Sequence, residues 1–185
     1  MKKYELLKDD TIIMSGRTLY RIKALRDFGN VEKGELGGYI ESGNNLSHFG
    51  NAWVYDNARV YDNAEVYGNA EVFGDARVFG DAEVYDNARV YDNAEVYGNA
   101  WVFGDARVFG DAVIKSTEDY IVFKNNWSSR RYFTYTKSNK MWKVGCFYGT
   151  GEELIKKAYA DSELSGKCYE AYVKFVEQIE NIQIK

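Results

Sequence analysis

Val84-Tyr85-Asp86-Asn87-Ala88-Arg89-Val90-Tyr91-Asp92-Asn93-Ala94-Glu95 is one six-residue phrase written twice, and from Val54 to Val113 the chain holds ten such phrases in succession. The phrase reads Val, Tyr or Phe, Gly or Asp, Asn or Asp, Ala, and a variable residue. Val recurs every six residues from 54 to 108, and Ala follows four places after each, from 58 to 112, without a slip. A longer period overlies this one: Val54 to Glu83 returns as Val84 to Val113, altered only where Glu71 becomes Trp101 and Glu83 becomes Val113, the mark of a duplicated 30-residue block. Apolar positions of an α-helix recur every 3.6 residues, so a strict period of six excludes one, whereas Ala-x-Val-Tyr alternates inward and outward along a short strand. Val, Tyr and Phe favour pleated backbone, and Gly, Asp and Asn tolerate positive φ or bond their own backbone at a bend. Identical phrases in one register fit a parallel coil in which each strand pairs with the one a full turn away.

An aliphatic residue followed four places later by a small one resembles the hexapeptide repeat of the left-handed parallel β-helix, a triangular prism of three phrases, 18 residues, per coil. That resemblance implies a mainly β fold and a homotrimer. It places Val54, Val72, Val90 and Val108 in one internal column and Ala58, Ala76, Ala94 and Ala112 in another, with rungs about 4.8 Å apart. Outside, the aromatic residues align as Tyr55, Phe73, Tyr91 and Phe109, as Tyr61, Phe79 and Tyr97, and as Tyr67, Tyr85 and Phe103. The variable site sets Glu71 beside Arg89 and Arg77 beside Glu95, pairs worth a few tenths of a kcal/mol each that favour register and solubility. Carried backward, the register puts Leu36/Ile40, Ser42/Leu46 and His48/Ala52 in the Val and Ala slots as a degenerate first coil. The organisation expected is a cap over 1–35, the β-helix over 36–113 in about 4.3 coils, and a C-terminal module over 114–185. A repeat stack needs covered ends, because bare terminal rungs template edge pairing.

Ahead of the repeats stand Arg21-Ile22-Lys23-Ala24-Leu25-Arg26-Asp27-Phe28, then Gly37-Gly38-Tyr39-Ile40, then Asn45-Leu46-Ser47. In this succession the chain resembles the YdcK-like β-solenoid family over Tyr20 to Val113. Members of that family carry the name transferase, through the fold they share with hexapeptide acyltransferases, and its shorter relatives resemble phage proteins. A fold-level likeness assigns no chemistry.

After Val113 the composition turns basic: Ile114 to Gly149 holds seven basic and two acidic residues, whereas 51–113 holds four Arg and twelve acids. Tyr120–Phe123, Arg131–Thr136 and Met141–Tyr148 alternate as strands, with Lys137–Lys140 as a hairpin connection, so a small antiparallel sheet is expected. Thr150-Gly151-Glu152-Glu153 is a capping box opening a helix. A second helix follows Ser162 to Gly166, with Cys168, Tyr172, Phe175, Ile179 and Ile182 on one face, expected to pack on the sheet or on a neighbouring chain.

The chain has 185 residues with 28 acidic and 24 basic side chains, one His, two Cys and no Pro. With 45% apolar residues it has ample material for a core, which excludes intrinsic disorder. A net charge of −4 gives no global attraction to nucleic acid or an anionic bilayer. The opening Met1 to Asp10 lacks the apolar run of a secretory signal, and no stretch approaches the roughly 20 apolar residues of a membrane span. A cytoplasmic protein without membrane or nucleic-acid partners is therefore expected. Cys146 and Cys168 read as reduced thiols. One His and two Cys fall short of the four ligands of a structural zinc site, and no cofactor is indicated.

No nucleophile elbow, dinucleotide fingerprint or phosphate loop is present, and neither Cys has a nearby His, so no catalytic residue is assigned. The alternative reading, a hexapeptide-type acyltransferase, rests on His48 as the one available general base, yet its place in an inward slot fits a capping or hydrogen-bonded core residue. Eight of the twelve acids over 51–113 are Asp at turns, where local backbone bonding explains them better than mimicry of phosphate spacing. The informative surface is Trp127-Ser128-Ser129-Arg130-Arg131 with Tyr135, Lys140, Trp142 and Lys143. Guanidinium forks pair with phosphate or carboxylate and aromatic faces stack on flat rings. Arg130, Arg131, Tyr135, Lys140, Trp142 and Lys143 are the expected ligand-binding residues. The competing account is a basic sheet face that balances the acidic stack. The function expected is a non-enzymatic binding or scaffold protein, trimeric through its β-helix, presenting its C-terminal module to a partner protein or an anionic, nucleotide-like ligand. Its phage-type relatives suggest antagonism of a host factor.

Overall fold

The computed structural model describes residues 2–182. In the repeats, each Val and the residue before it form a two-residue strand, and the Gly/Asp-Asn/Asp pair turns the corner. The strands collect on three faces of a parallel β-solenoid. One face runs β3 (Leu36–Ile40), β5 (Arg59–Val60), β8 (Arg77–Val78), β11 (Glu95–Val96) and β14 (Val113–Ile114). The second holds β4 (Trp53–Val54), β7 (Glu71–Val72), β10 (Arg89–Val90) and β13 (Arg107–Val108), and the third β6 (Glu65–Val66), β9 (Glu83–Val84) and β12 (Trp101–Val102). Val54 lies beside Val72, Val72 beside Val90 and Val90 beside Val108, each 18 residues on, through about four turns. Every Val and Ala of the phrase is fully buried. Each such Val stabilises the stack by about 1.5–2 kcal/mol relative to exposure, while Ala keeps the prism narrow. The aromatic columns form as expected, with Tyr61–Phe79–Tyr97 rings 5.0 and 4.7 Å apart and Tyr67–Tyr85–Phe103 rings 4.9 and 5.3 Å apart. Arg89 pairs with Glu71 at 3.0 Å and Arg77 with Glu95 at 2.5 Å.

The first coil departs from the register read backward. Ile40 lies beside Val60 and Leu46 beside Val66, 20 residues apart, whereas Trp53 lies beside Glu71, 18 apart. Ile40 and Leu46 therefore fill Val slots rather than Ala slots, Leu36 is 51% exposed, and two extra residues are accommodated between Leu46 and Trp53. His48 sits in that extra length and not in an inward slot.

The N-terminal cap is a hairpin of β1 (Tyr4–Met14) and β2 (Arg17–Ala24), turned at Ser15 and Gly16 with φ of 51° and 79°. β2 pairs antiparallel with β3, which pairs parallel with β5, so the hairpin closes the open edge of the first face. Gly37 and Gly38 make this junction possible. A Cβ on Gly37 would lie 2.5 Å from the Val54 carbonyl oxygen, and one on Gly38 2.5 Å from that of Ala58. Tyr4, Phe28 and Trp53 plug the prism beneath, with Phe28 and Trp53 edge to face at 5.2 Å. At the other end of the third face, side chains satisfy the edge: Trp101 N–H donates to Thr117 Oγ1 at 3.1 Å and the Tyr120 hydroxyl donates to the Trp101 carbonyl at 3.0 Å.

The solenoid with its cap is one compact unit, ending at Tyr120, and a second begins at Ile121. The second is built on a four-stranded sheet in the order β15 (Tyr120–Lys124), β16 (Tyr132–Thr136), β17 (Met141–Val144), β18 (Phe147–Gly149). The third expected strand is thus two, broken at Gly145, whose φ is 56°. α1 (Gly151–Asp161) opens on the Thr150/Glu153 capping box, and α2 (Glu163–Glu180) on Ser162. Phe133, Tyr135, Trp142, Val144, Leu154 and Val173 form the centre of the core between sheet and helices. α2 turns Tyr169, Val173 and Val176 inward, so the expected stripe lies to one side of the buried face: Cys168 and Tyr172 are half-buried, while Phe175, Ile179 and Ile182 are 47%, 42% and 64% exposed.

Candidate functional site

The six expected ligand-binding residues separate by strand parity. Register pairs Tyr135 with Trp142, and both point to the helices: Tyr135 is 4% and Trp142 2% exposed, their rings 5.0 Å apart. The Tyr135 hydroxyl donates to Glu180 at 2.7 Å, and burial, reinforced by that carboxylate, raises its pKa above the usual tyrosine value. Neither ring offers a face for stacking, which corrects the expectation for these two positions. Lys143 stands on the opposite side of the sheet, in the row Thr134–Lys143–Tyr148. Lys140 occupies the β16–β17 turn at φ 55°. Arg130 and Arg131 remain, exposed, in the loop between β15 and β16.

That loop is organised by a residue the sequence reading passed over. Asn125 is fully buried; its side-chain oxygen accepts from the N–H groups of Trp127 and Ser128 at 3.0 and 3.2 Å, and its amide donates to Ser128 Oγ at 2.8 Å. Its own N–H donates to the Arg131 carbonyl at 3.0 Å, closing the loop base. The available signal was Asn-Asn-x-Ser-Ser, an Asx-turn pattern. The loop holds Trp127 at 74% exposure, and Arg130 at φ 56°. At its edge the Lys124 ammonium lies 3.8 Å from the centroid of the Tyr132 ring. Three cations and two accessible aromatic rings therefore belong to one short segment, a smaller surface than the six-residue set.

Trp127 also borders an apolar cavity of about 330 Å³ with Phe123, Cys168, Ala171, Tyr172 and Phe175. On the solenoid, a polar cleft is lined by Arg17, Glu41, Asp62, Glu65 and Asp81; Arg17 already pairs with Glu41 at 2.8 Å and with Asp62 at 2.5 Å. No grouping of three or more His, Cys, Asp or Glu suited to a metal occurs among the described residues, and no helix among them is long and apolar enough to cross a membrane.

His48 is engaged in the cap. Its Nδ1 accepts the Lys3 N–H at 3.2 Å, and its ring lies 4.3 Å from that of Tyr4 at a tilt of 30°. Burial, then the positive charge of Lys3, lowers its pKa below the usual histidine value. Here the imidazole holds the N-terminal strand against the first coil.

No curated protein shows significant similarity to the chain. Residues 88–103, one duplicated stretch of the solenoid, match the family model described as the YdcK beta solenoid repeat. That stretch lies within a three-faced parallel stack of 18-residue turns, a β-solenoid of about four turns.

Proposed function

We propose that this chain is a non-enzymatic binding protein whose C-terminal unit engages an anionic group through the loop 125–131. Arg130 and Arg131 meet the phosphate or carboxylate, and the Trp127 indole stacks beside it. The observation that supports this reading is Trp127, 74% exposed on a loop whose backbone is pinned by the buried Asn125. A pre-ordered loop binds with less loss of conformational entropy, and Trp and Arg are the residues that most often dominate binding energy. The solenoid acts as a rigid, trimeric element, and antagonism of a host factor in the cytoplasm by occupying its anionic surface is the concrete form of the proposal.

Affinity capture from host lysate tests it, with mass spectrometry of both proteins and small molecules, comparing the wild type with Arg130→Glu/Arg131→Glu. Selective loss of a captured species at an unchanged melting temperature is the expected result. Equal capture by both would remove these residues from the account. Saturable acetyl-CoA binding that disappears in His48→Ala would favour acyl transfer instead.

A further inference from the structure

Helix α2 is more apolar than the core of its own unit requires. Beside the inward Tyr169, Val173 and Val176 runs a second row, Leu164, Cys168, Ala171, Phe175 and Ile179, at spacings of 4, 3, 4 and 4, continued by Ile182 just beyond the C-cap Asn181. Leu164, Phe175, Ile179 and Ile182 are 59%, 47%, 42% and 64% exposed. The cavity of about 330 Å³ adjoins this row, lined by Cys168, Ala171, Tyr172 and Phe175 of α2 together with Phe123 and Trp127. Together Leu164, Phe175, Ile179 and Ile182 expose roughly 400 Å², within the range of the largest patches that monomers leave open and about half of the 800 Å² or so that each partner buries in a standard interface.

The row is asymmetric along its length. The small Cys168 and Ala171 occupy its first half and the large Phe175 and Ile179 its second. A second copy of the helix, antiparallel and related by a two-fold axis close to Val173, sets Ala171 against Phe175 and Leu164 against Ile182, with Cys168 facing the Gln178–Ile179 step. Small meets large at the two central steps. A parallel copy would set Phe175 against Phe175 and Ala171 against Ala171, a clash beside a void. A self-complementary contact needs both ridge and hollow on one surface, and this face carries both. We propose that two copies of this chain associate through antiparallel α2 helices, with Phe175 of each seated in the other's cavity between Ala171 and Phe123. The proposal goes beyond the anion-binding reading and shares only Trp127 with it.

Cross-linking of the full chain tests the register. In a Cys146→Ser background, Ile179→Cys is expected to form an interchain disulfide with Cys168 of the second copy under mild oxidation, because paired Cα atoms must approach within about 4.4–6.8 Å. The background protein, with Cys168 alone, is expected to stay uncross-linked. Adding Phe175→Glu should lower the cross-linked yield at least about tenfold and reduce the sedimenting mass, while the melting temperature and Arg130/Arg131-dependent capture persist. Should Phe175→Glu misfold, Leu164→Glu at the far end of the row carries the same expectation. Cross-linking through Cys168 alone, or none in Ile179→Cys with a mass insensitive to Leu164→Glu, would overturn the proposal.

Discussion

The amide N–H of Gly74 donates to the carboxylate of Asp56 at 3.1 Å, one full coil back along the stack. Gly80 makes the same bond to Asp62 at 3.2 Å, and Gly104 to Asp86 at 3.3 Å. Asp and Gly share one corner slot, both at positive φ, and no Asp of that slot has another in the next rung. The slot beside it likewise never stacks Asp on Asp: two columns alternate Asn with Asp, the third runs Asn69, Asn87, Asp105, and Asn63 donates to Asp81 at 2.9 Å. The corners thus stack carboxylates only against uncharged neighbours, which matters because like charges about 5 Å apart repel by roughly 1–3 kcal/mol near a surface.

Gly74→Asp inserts a carboxylate between Asp56 and Asp92. It is expected to destabilise by about 2 kcal/mol more than Gly74→Asn, which meets the same backbone at 3.0 Å but carries no charge. Urea unfolding at low and high ionic strength reads the difference. The excess for Asp should shrink in salt, since the site is exposed to screening. An equal loss for both variants would show that sterics alone chooses Gly.

The interior should tolerate neither a hole nor a larger side chain. Val90 lies between Val72 and Val108, fully buried, and Val90→Ala is expected to lower stability by about 2–3 kcal/mol. Ala76, also fully buried, stands in the small-residue column of the narrow prism, so Ala76→Leu should cost at least about 3 kcal/mol or prevent folding. Denaturant midpoints at unchanged slope are the measure. An Ala76→Leu protein of wild-type stability would place that side chain outside the prism.

The period of the Val and Ala slots made the stack legible, because a coil of three six-residue phrases keeps both columns inward over Val54 to Val113. Before Val54 the same rule misplaced Ile40 and Leu46 by two residues. Their aliphatic side chains fit either slot, and the extra length at His48 leaves no local mark. β1 escaped notice since Lys8-Asp9-Asp10 and a register shift between Leu7 and Thr11 interrupt its alternation. Tyr135 and Trp142 were read as surface for a different reason. Strand parity defines two faces but not which one the helices cover, and here α1 and α2 cover theirs. The stripe on α2 was displaced because an apolar arc this wide contains two rows, and only packing shows that Tyr169, Val173 and Val176 win the core.

Thr150 and Glu153 satisfy each other's backbone at the start of α1, with Thr150 N–H donating to Glu153 at 2.8 Å and Glu153 N–H to Thr150 Oγ1 at 3.3 Å. Thr150→Ala is expected to lower stability by about 1 kcal/mol. The backbone N–H of Thr150, and then its hydroxyl, hold the Glu153 carboxyl below its ordinary pKa, so the carboxylate's half of the box is present above the unfolded value near 4.5 and fades as pH falls through the folded one. Hydrogen exchange should localise the loss to α1. Protection lost evenly through the solenoid as well would show that the two units unfold together.

Lys3 gives the molecule a distinctive alkaline profile. Its ammonium is wholly shielded, donating to the Ala52 carbonyl at 2.7 Å and lying 5.0 Å from the Phe28 ring centroid. Burial first, and the Arg26 charge second, pull its pKa from 10.5 to about 8. Between those values the unfolded chain binds the more protons, so unfolding free energy rises with pH across that window. Tyr4 acts with the opposite sign: burial pushes its pKa from 10.0 up to about 12, and stability falls as pH climbs past its unfolded value. The expected curve therefore climbs from pH 8, peaks near pH 10 and declines beyond. Lys3→Met should remove the climb, raise stability at pH 7 and leave the decline in place. Urea titrations at fixed ionic strength read all three. A wild-type curve flat from pH 8 to 10 would mean that water reaches the Lys3 ammonium in the folded state, and the plug formed with Phe28 and Trp53 would then be open.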